Sequence, residues 1–282
     1  MHISGPVHLL LITWNRREYV EKTIKTLLAD PSDFHLYCWD NASSDGTADL
    51  IASIDDPRVA KQRFSKENVK QREPFLWFLE QSDGDLVGKI DDDILLPPGW
   101  TQRIAPILRR EPRFGTLGCW PYMPEDWDES LASHKIIELA GVRVFRNPWV
   151  AGHSFLARRD CLKQFISPPT GYGLPINQFG MTRAGLINGY PLPLLQVHNM
   201  DDPRSPHCLM NRNSGLGEHA ALTARVLGFE SAEAYGQWIA QDARQIQRDP
   251  IEIQLRRHSW RNDRTLVGRA RRKVLRLIGQ EL

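Results

Sequence analysis

The sequence predicts an α/β fold on a mostly parallel sheet with flanking helices, and three observations predict it. Short apolar runs alternate with helix-period segments through the first hundred residues, the pattern of successive βαβ units. The run Leu86–Ile90 leads straight into Asp91-Asp92-Asp93, which places carboxylates at a strand's carboxyl end, where open α/β sheets bind ligands. Composition is that of a globular protein, 41% hydrophobic and 25% charged over 282 residues, enough for one large domain with an appendage.

Val7–Thr13 reads as the first strand, and residues 19–28 as the helix after it, with Val20, Ile24, Leu27 and Leu28 on one face. Residues 34–39 read as the second strand. It ends in a polar turn, Asp40 to Thr47, whose Ser and Asp side chains suit the cap of a helix over 47–54. Val59–Phe64 and Leu86–Ile90 are further strands, separated by a helix over 71–80. Pro97-Pro98-Gly99 announces a helix over 100–109, followed by a loop of aromatics and acids, 120–129. Residues 136–145, 150–157 and 192–197 read as strands, with a helix beginning near Arg159 and another over 231–248.

The formal charge of +2 hides an uneven distribution. Residues 256–282 carry nine Lys/Arg against two acids, or +7, which leaves the first 255 residues at −5. On a helical wheel Leu266, Val267, Ala270, Val274, Leu277 and Ile278 share one arc, with Arg269, Arg272, Lys273 and Arg276 opposite. Such a helix suits an anionic membrane surface or packs on the body with its basic face in water. The four cysteines form no CxxC pair, so neither a zinc ribbon nor a disulfide framework is indicated, and a reducing cytoplasm fits. No run approaches eighteen apolar residues, so the expected localisation is cytoplasmic, at most peripheral on the inner face of the membrane. No nucleic-acid-binding signature is present.

Three adjacent carboxylates stay ionised together only with a cation or several donors nearby. Oxygen ligands at a strand end suit Mn²⁺ or Mg²⁺, which keep positions open for phosphates; the plainer alternative is a solvated acidic loop. Around this triplet, Leu10-Leu11-Ile12-Thr13-Trp14-Asn15-Arg16 resembles the first strand and T-x-N-R turn of the family 2 glycosyltransferases. Trp39-Asp40-Asn41-Ala42-Ser43-Ser44-Asp45-Gly46-Thr47 resembles their D-[DN]-x-S-x-D-G-T motif, and residues 84–93 resemble the block that ends in D-x-D.

The resemblance implies a GT-A fold over residues 1–225, with a nucleotide-binding half over 1–100 and an acceptor half over 101–225, and a helical extension over 226–282. It implies transfer of a sugar from a nucleotide diphosphate, UDP by default with GDP or dTDP as alternatives, to a glycan or lipid-linked acceptor. Thr13, Asn15, Arg16, Asn68, Asp91 and Asp92 would line the donor nucleotide, and Asp40 would accept from a base N–H or serve its own turn. Asp91 and Asp93 would hold the metal, with His198 as a third ligand or a structural histidine. Gly152 would let backbone approach the donor sugar, and Trp120, Trp127 and Trp149 would stack on sugar or pack as core.

One departure stands out. Inverting members carry an acidic pair where this chain has Asn177-Gln178, and no Asp or Glu occurs between residues 161 and 200. An amide cannot act as a general base near neutral pH. Asp201 and Asp202 are then the candidate bases, with Glu125, Asp126 and Asp128 behind them. A retaining route that uses the leaving phosphate, a silent nucleotide-sugar-binding module and a nucleotidyltransferase are the alternatives, although Trp14 to Glu18 lacks the Gly-rich basic loop the last would need.

Overall fold

A computed structural model of the chain describes residues 5–169, 174–211 and 222–262. The basic helix expected over 266–278 lies outside the described residues. The first ninety residues alternate as the apolar pattern demands: β1 (Val7–Thr13), α1 (Arg17–Ala29), β2 (Phe34–Asp40), α2 (Thr47–Ala52), β3 (Val59–Phe64), α3 (Arg72–Gln81) and β4 (Leu86–Ile90). Every residue of β1 is buried, as expected of a strand covered on both faces. Helix α1 turns Tyr19, Val20, Thr23, Ile24 and Leu27 inward at helical spacing.

The acceptor half is irregular. It runs β5 (Ile94–Leu95), α4 (Trp100–Arg110), β6 (Phe114–Gly118), α5 (Glu129–Ala132), β7 (Ile136–Leu139), β8 (Val142–Arg146), β9 (Ser154–Arg158), α6 (Arg159–Gln164), α7 (Gln178–Arg183), β10 (Ile187–Pro191) and β11 (His198–Asn199). Helices α8 (Leu222–Leu227), α9 (Ala232–Arg248) and α10 (Ile251–Asn262) follow. The expected strand over 136–145 is a hairpin instead, turning at Ala140 and Gly141, both at positive φ. Residues 192–197 form no strand, since Pro191 and Pro193 remove ladder donors; a single bridge from Gln196 to Trp120 remains.

The main sheet has the order β3-β2-β1-β4-β9-β6-β10-β8-β7. β1 to β4 are parallel, and β9 runs antiparallel between β4 and β6. Register brings Thr13 level with Asp40 and Leu11 level with Ile90, so the residues after β1, β2 and β4 open on one edge. A separate ribbon pairs β11 with β5, His198 opposite Leu95 and Asn199 opposite Ile94. Met200 N–H then donates to Asp93 O at 2.8 Å, hanging the 198–202 segment on the acidic strand end.

Helix α9 begins at Ser231, whose side chain accepts from Ala234 N–H. It lies on the aromatic loop: Gln247 donates to Asp126 O and accepts from Asp128 N–H, and Tyr122 donates to Asp242 at 2.5 Å. Lys135, fully buried, donates from Nζ to Ile246 O near the end of α9, to Asn147 Oδ1 at 3.0 Å and to Gln254 Oε1 at 3.3 Å. Residues 231–262 are thereby fastened to the acceptor half by polar bonds as well as apolar packing.

Candidate active site

The edge formed by β1, β2 and β4 carries the expected motif residues side by side. Asp40, 1% exposed, accepts from Thr13 Oγ1 at 2.8 Å and from Ser43 through both N–H (2.8 Å) and Oγ (2.6 Å). The turn after β1 is knitted to the same loop: Asn15 N–H donates to Ser43 Oγ at 2.9 Å, and Asn15 Oδ1 accepts from Ser44 N–H at 2.7 Å. Asn15 holds φ at 50°, a conformation Asn tolerates because its short side chain bonds locally. Asp45 accepts from Thr47 and from Arg17 N–H, tying the starts of α2 and α1 together. Asn68 is exposed and accepts from Lys70 N–H at 2.8 Å in a turn of its own.

The triplet after β4 divides. Asp91 turns to Lys89, a lysine buried in β4 whose Nζ also donates to Gly152 O at 3.3 Å. A Cβ at Gly152 would stand 3.9 Å from Asp91 Oδ2, so that backbone passes close to the carboxylate. Asp92 Oδ2 accepts from Trp14 N–H at 3.3 Å, and its carbonyl from Thr23 Oγ1 at 3.0 Å. Asp93 Oδ2 takes Arg16 Nη1 at 2.5 Å; the same nitrogen stands 3.8 Å from Asp92, and Nη2 stands 3.4 Å from Asp201. The other oxygen of Asp93, Oδ1, is buried and has no hydrogen-bond partner.

One guanidinium among three carboxylates leaves negative charge in excess. Burial, then Asp93 and Asp91, push the Asp92 carboxyl up to about 7 against the pull of Arg16. Burial also raises Asp93, helped by Asp91 and Asp201 and opposed by Arg16 and His153. Burial lowers the Arg16 pKa, but Asp201, Asp93 and Asp92 outweigh it and hold the guanidinium charged.

His198 stands opposite Leu95 in the ribbon of β5 and β11. Its Nε2 shares a 2.6 Å hydrogen bond with Ser205 Oγ, its ring meets His207 edge-on at 5.3 Å, and burial followed by His207 lowers its pKa. The imidazole beside the carboxylates belongs to His153. Its Nε2 lies 3.5 Å from Asn199 Nδ2, and its Nδ1 is buried without a partner. Among the described residues no three His, Cys, Asp or Glu side chains already converge at ligand distance.

Two expectations are corrected by burial and pairing. Trp120 is 0% exposed inside a cage of Tyr122, Trp127, Phe145 and Tyr190, so its faces cannot stack on a sugar. Trp127 and Trp149 keep part of their surface, the second stacked on Phe179 at 5.7 Å. Asp202 is 1% exposed and gripped by Arg204, which also binds Asp126, so neither carboxylate is available to collect a proton. Asp128 caps α5. Asn177 likewise caps α7 through Gly180 N–H, and Gln178 brackets Val150, accepting from its N–H at 2.6 Å and donating to its carbonyl at 3.0 Å. The amide pair is architecture.

Sequence reasoning did not find Lys89 or the reach of Arg16 to Asp93. A lone charge inside an apolar strand was a usable signal for Lys89. The Arg16 contact spans 77 positions and had none.

Residues 9–166 match the family model Glycosyl transferase family 2. No curated protein sequence matches the chain. Among solved structures, the mannosyltransferase PcManGT from Pyrobaculum calidifontis, in complex with GDP-Man and Mn²⁺, superposes with a TM-score of 0.58 at 15% identity, covering 99% of this chain and 82% of that one. S. aureus TarS 1–349 superposes at 0.51 with 12% identity, covering 70% and 61%, and its UDP complex at 0.51 with 14%, covering 68% and 60%. Likeness at these identities establishes the GT-A fold.

Proposed function

Since the matched segment exceeds half of the chain, the protein belongs to glycosyltransferase family 2 and is a nucleotide-sugar glycosyltransferase, and we propose that its transfer depends on a divalent cation, Mn²⁺ or Mg²⁺, held by Asp93 and Asp91. The observation that carries this reading is Asp93 Oδ1, a buried oxygen donor without a partner, beside a second buried carboxylate, Asp92, whose pKa is raised by burial and then by its acidic neighbours. The residues fit such an ion. They offer hard oxygen donors, and the ion would relieve the repulsion that raises Asp92. PcManGT, of the same fold, is in complex with Mn²⁺, which supports the assignment. When bound, the cation would offset the charge that develops on the leaving diphosphate.

The chain's own groups do the rest. The Thr13, Asp40 and Ser43 hydrogen bonds fix the floor of the nucleotide pocket, and Asn15 sets the turn that leads to Arg16. Lys89 holds Asp91 toward Gly152, where the donor sugar would lie against backbone. Trp127 and Trp149 flank the acceptor side. With Asp202 and Asp126 committed to Arg204 and Asp128 capping α5, Asp201 and the exposed Glu125 are the candidate bases, and UDP, GDP and dTDP sugars are the donor classes. A hydroxyl of a bacterial surface glycan or lipid-linked glycan is the acceptor class, with residues 265–282 as its membrane contact. Among the described residues no helix is long and apolar enough to cross a membrane.

A thermal-shift screen of UDP-, GDP- and dTDP-sugars with and without Mn²⁺ tests the reading. One class should stabilise the protein more with Mn²⁺ than without, and Asp93→Asn should erase the difference. Equal stabilisation with and without metal would defeat the cation assignment. Anomeric-proton NMR of the product reports the stereochemistry, and the transfer rate and its pH profile, compared between wild type and Asp201→Asn, report whether Asp201 takes the proton.

A further inference from the structure

We propose that Arg16 is an exchangeable counter-cation: in the resting site it holds Asp93 and Asp201, and it passes to the donor's diphosphate when a divalent cation takes Asp93. The inference rests on the cation reading above and adds an order of events to it.

Arg16 occupies the N-cap position of α1, immediately after the turn that follows β1, and its side chain is only 9% exposed. Its guanidinium is spent on carboxylates, at 2.5 Å from Asp93 and 3.4 Å from Asp201, with the Tyr19 ring 5.9 Å beyond. A charge-assisted bond of that length to a ligand of the cation must weaken before the ion can use the whole carboxylate. Two desolvated cations on one carboxylate also repel strongly, because the surroundings screen them poorly. A divalent ion arriving alone therefore meets an arginine already bound to its ligand.

A diphosphate changes the balance. A guanidinium presents five donors in a fork matched to phosphate oxygens, so it can exchange Asp93 for the anion. The resting contacts and the diphosphate contact exclude each other, which makes cation and nucleotide help one another bind. Lys89 does not compete for this role, since it is buried in β4 and tied to Asp91 and Gly152 O.

Coupling of this kind is reciprocal, which gives an internal check. Calorimetric titrations would measure Mn²⁺ binding to the full chain alone, with UDP and with GDP, and nucleotide binding with and without Mn²⁺. For wild type the two nucleotide-sensitive ratios should agree, with Mn²⁺ alone binding weakly. Arg16→Gln should bind Mn²⁺ alone at least about tenfold more tightly and lose about tenfold or more of the synergy. Arg16→Lys, which keeps a charge in place, should retain most of the synergy. Should Arg16→Gln be unstable, the Arg16 Nε–H resonance of wild type, assigned by its loss in Arg16→Lys, serves instead: it should move with Mg²⁺ and nucleotide together and not with Mg²⁺ alone. The role fails if Arg16→Gln binds Mn²⁺ no more tightly than wild type, or if Mg²⁺ alone moves the resonance fully. Asp93→Asn separates the two readings. If it leaves Mn²⁺ binding intact, the cation site itself is wrong and this inference falls with it.

Discussion

Two buried charge clusters in this molecule are built on opposite principles. At the edge of β1 and β4, Arg16 lies among Asp92, Asp93 and Asp201, and one oxygen of Asp93 is buried without a partner. At the junction with α9 and α10, Lys135 meets only neutral oxygens, from Asn147, Ile246 and Gln254, and the face of Phe145 with its centroid 4.8 Å away. Helix ends collect partial negative charge on their last carbonyls, and Lys135 Nζ donates to one of them, Ile246 O near the end of α9, without any carboxylate in contact. Surplus charge marks where something is meant to arrive, and complete satisfaction marks a joint. Arg204 resembles the second kind, paired with Asp126 and Asp202 in full.

That contrast can be broken experimentally. The largest effect should come from Asp93→Ala, which ought to lower transfer by about three orders of magnitude, the scale of losing a Lewis acid worth several kcal/mol, while barely lowering the melting temperature. Arg204→Ala should do the reverse, costing about 3–5 kcal/mol in urea unfolding because two buried carboxylates lose their cation. Retained stability in that variant would show that Asp126 and Asp202 find other donors.

Lys135→Met should cost about 1–3 kcal/mol, since three acceptors are left unmade at a buried joint. Burial, then Arg146, lowers the Lys135 pKa from 10.5 to about 7, against a smaller upward pull from Asp249. Between those values the unfolded chain binds a proton that the folded one does not, so this group's contribution is present above 10.5 and is lost as pH falls through about 7. The wild-type stability curve should therefore rise with pH more steeply than that of Lys135→Met from pH 7 upward, and parallel curves would refute the assignment.

The smallest effect sharpens the comparison most. Asp92 titrates near 7 in the fold against 3.8 unfolded, so its favourable contribution is present below 3.8 and is lost as pH rises through about 7. Asp92→Asn, which can still accept from Trp14 N–H, should then stabilise the protein by about 1–2 kcal/mol at pH 8 and weaken nucleotide–metal binding. A stabilising substitution in the surplus cluster, set beside a destabilising one at Lys135, is the difference between a site and a joint in its simplest form.

The nucleotide half was nearly fully legible because each element there is set by its own residues. β1, β3 and β4 begin and end where their apolar or β-favouring runs do. The acceptor half was not. β6 is Phe-Gly-Thr-Leu-Gly, and it is a strand because β9 and β10 flank it. β10 contains Asn188, Gly189 and Pro191, poor strand formers; Asn188 is kept there by hydrogen bonds from Nδ2 to Pro148 O and Gln178 O. Helix α7 is short and interrupted by Gly180, so its period carried no signal. For the site, Asp91 to Asp93 could be read off as a triplet, but not that Asp91 pairs with Lys89 and Asp93 with Arg16. Trp120 showed the limit of composition: the aromatics beside acids that suggested a sugar platform include one that is core.

The ribbon of β5 and β11 bears on anyone who would re-engineer acceptor choice by exchanging loops. Asp93 is held from its main chain by Met200 N–H, and the next residue, Asp201, is in the grasp of Arg16. A graft that imports residues 198–205 from a relative also replaces the peptide that sets the height of the acidic strand end. The two segments are mechanically one part, and a chimera should move residues 91–95 and 198–205 together or keep both.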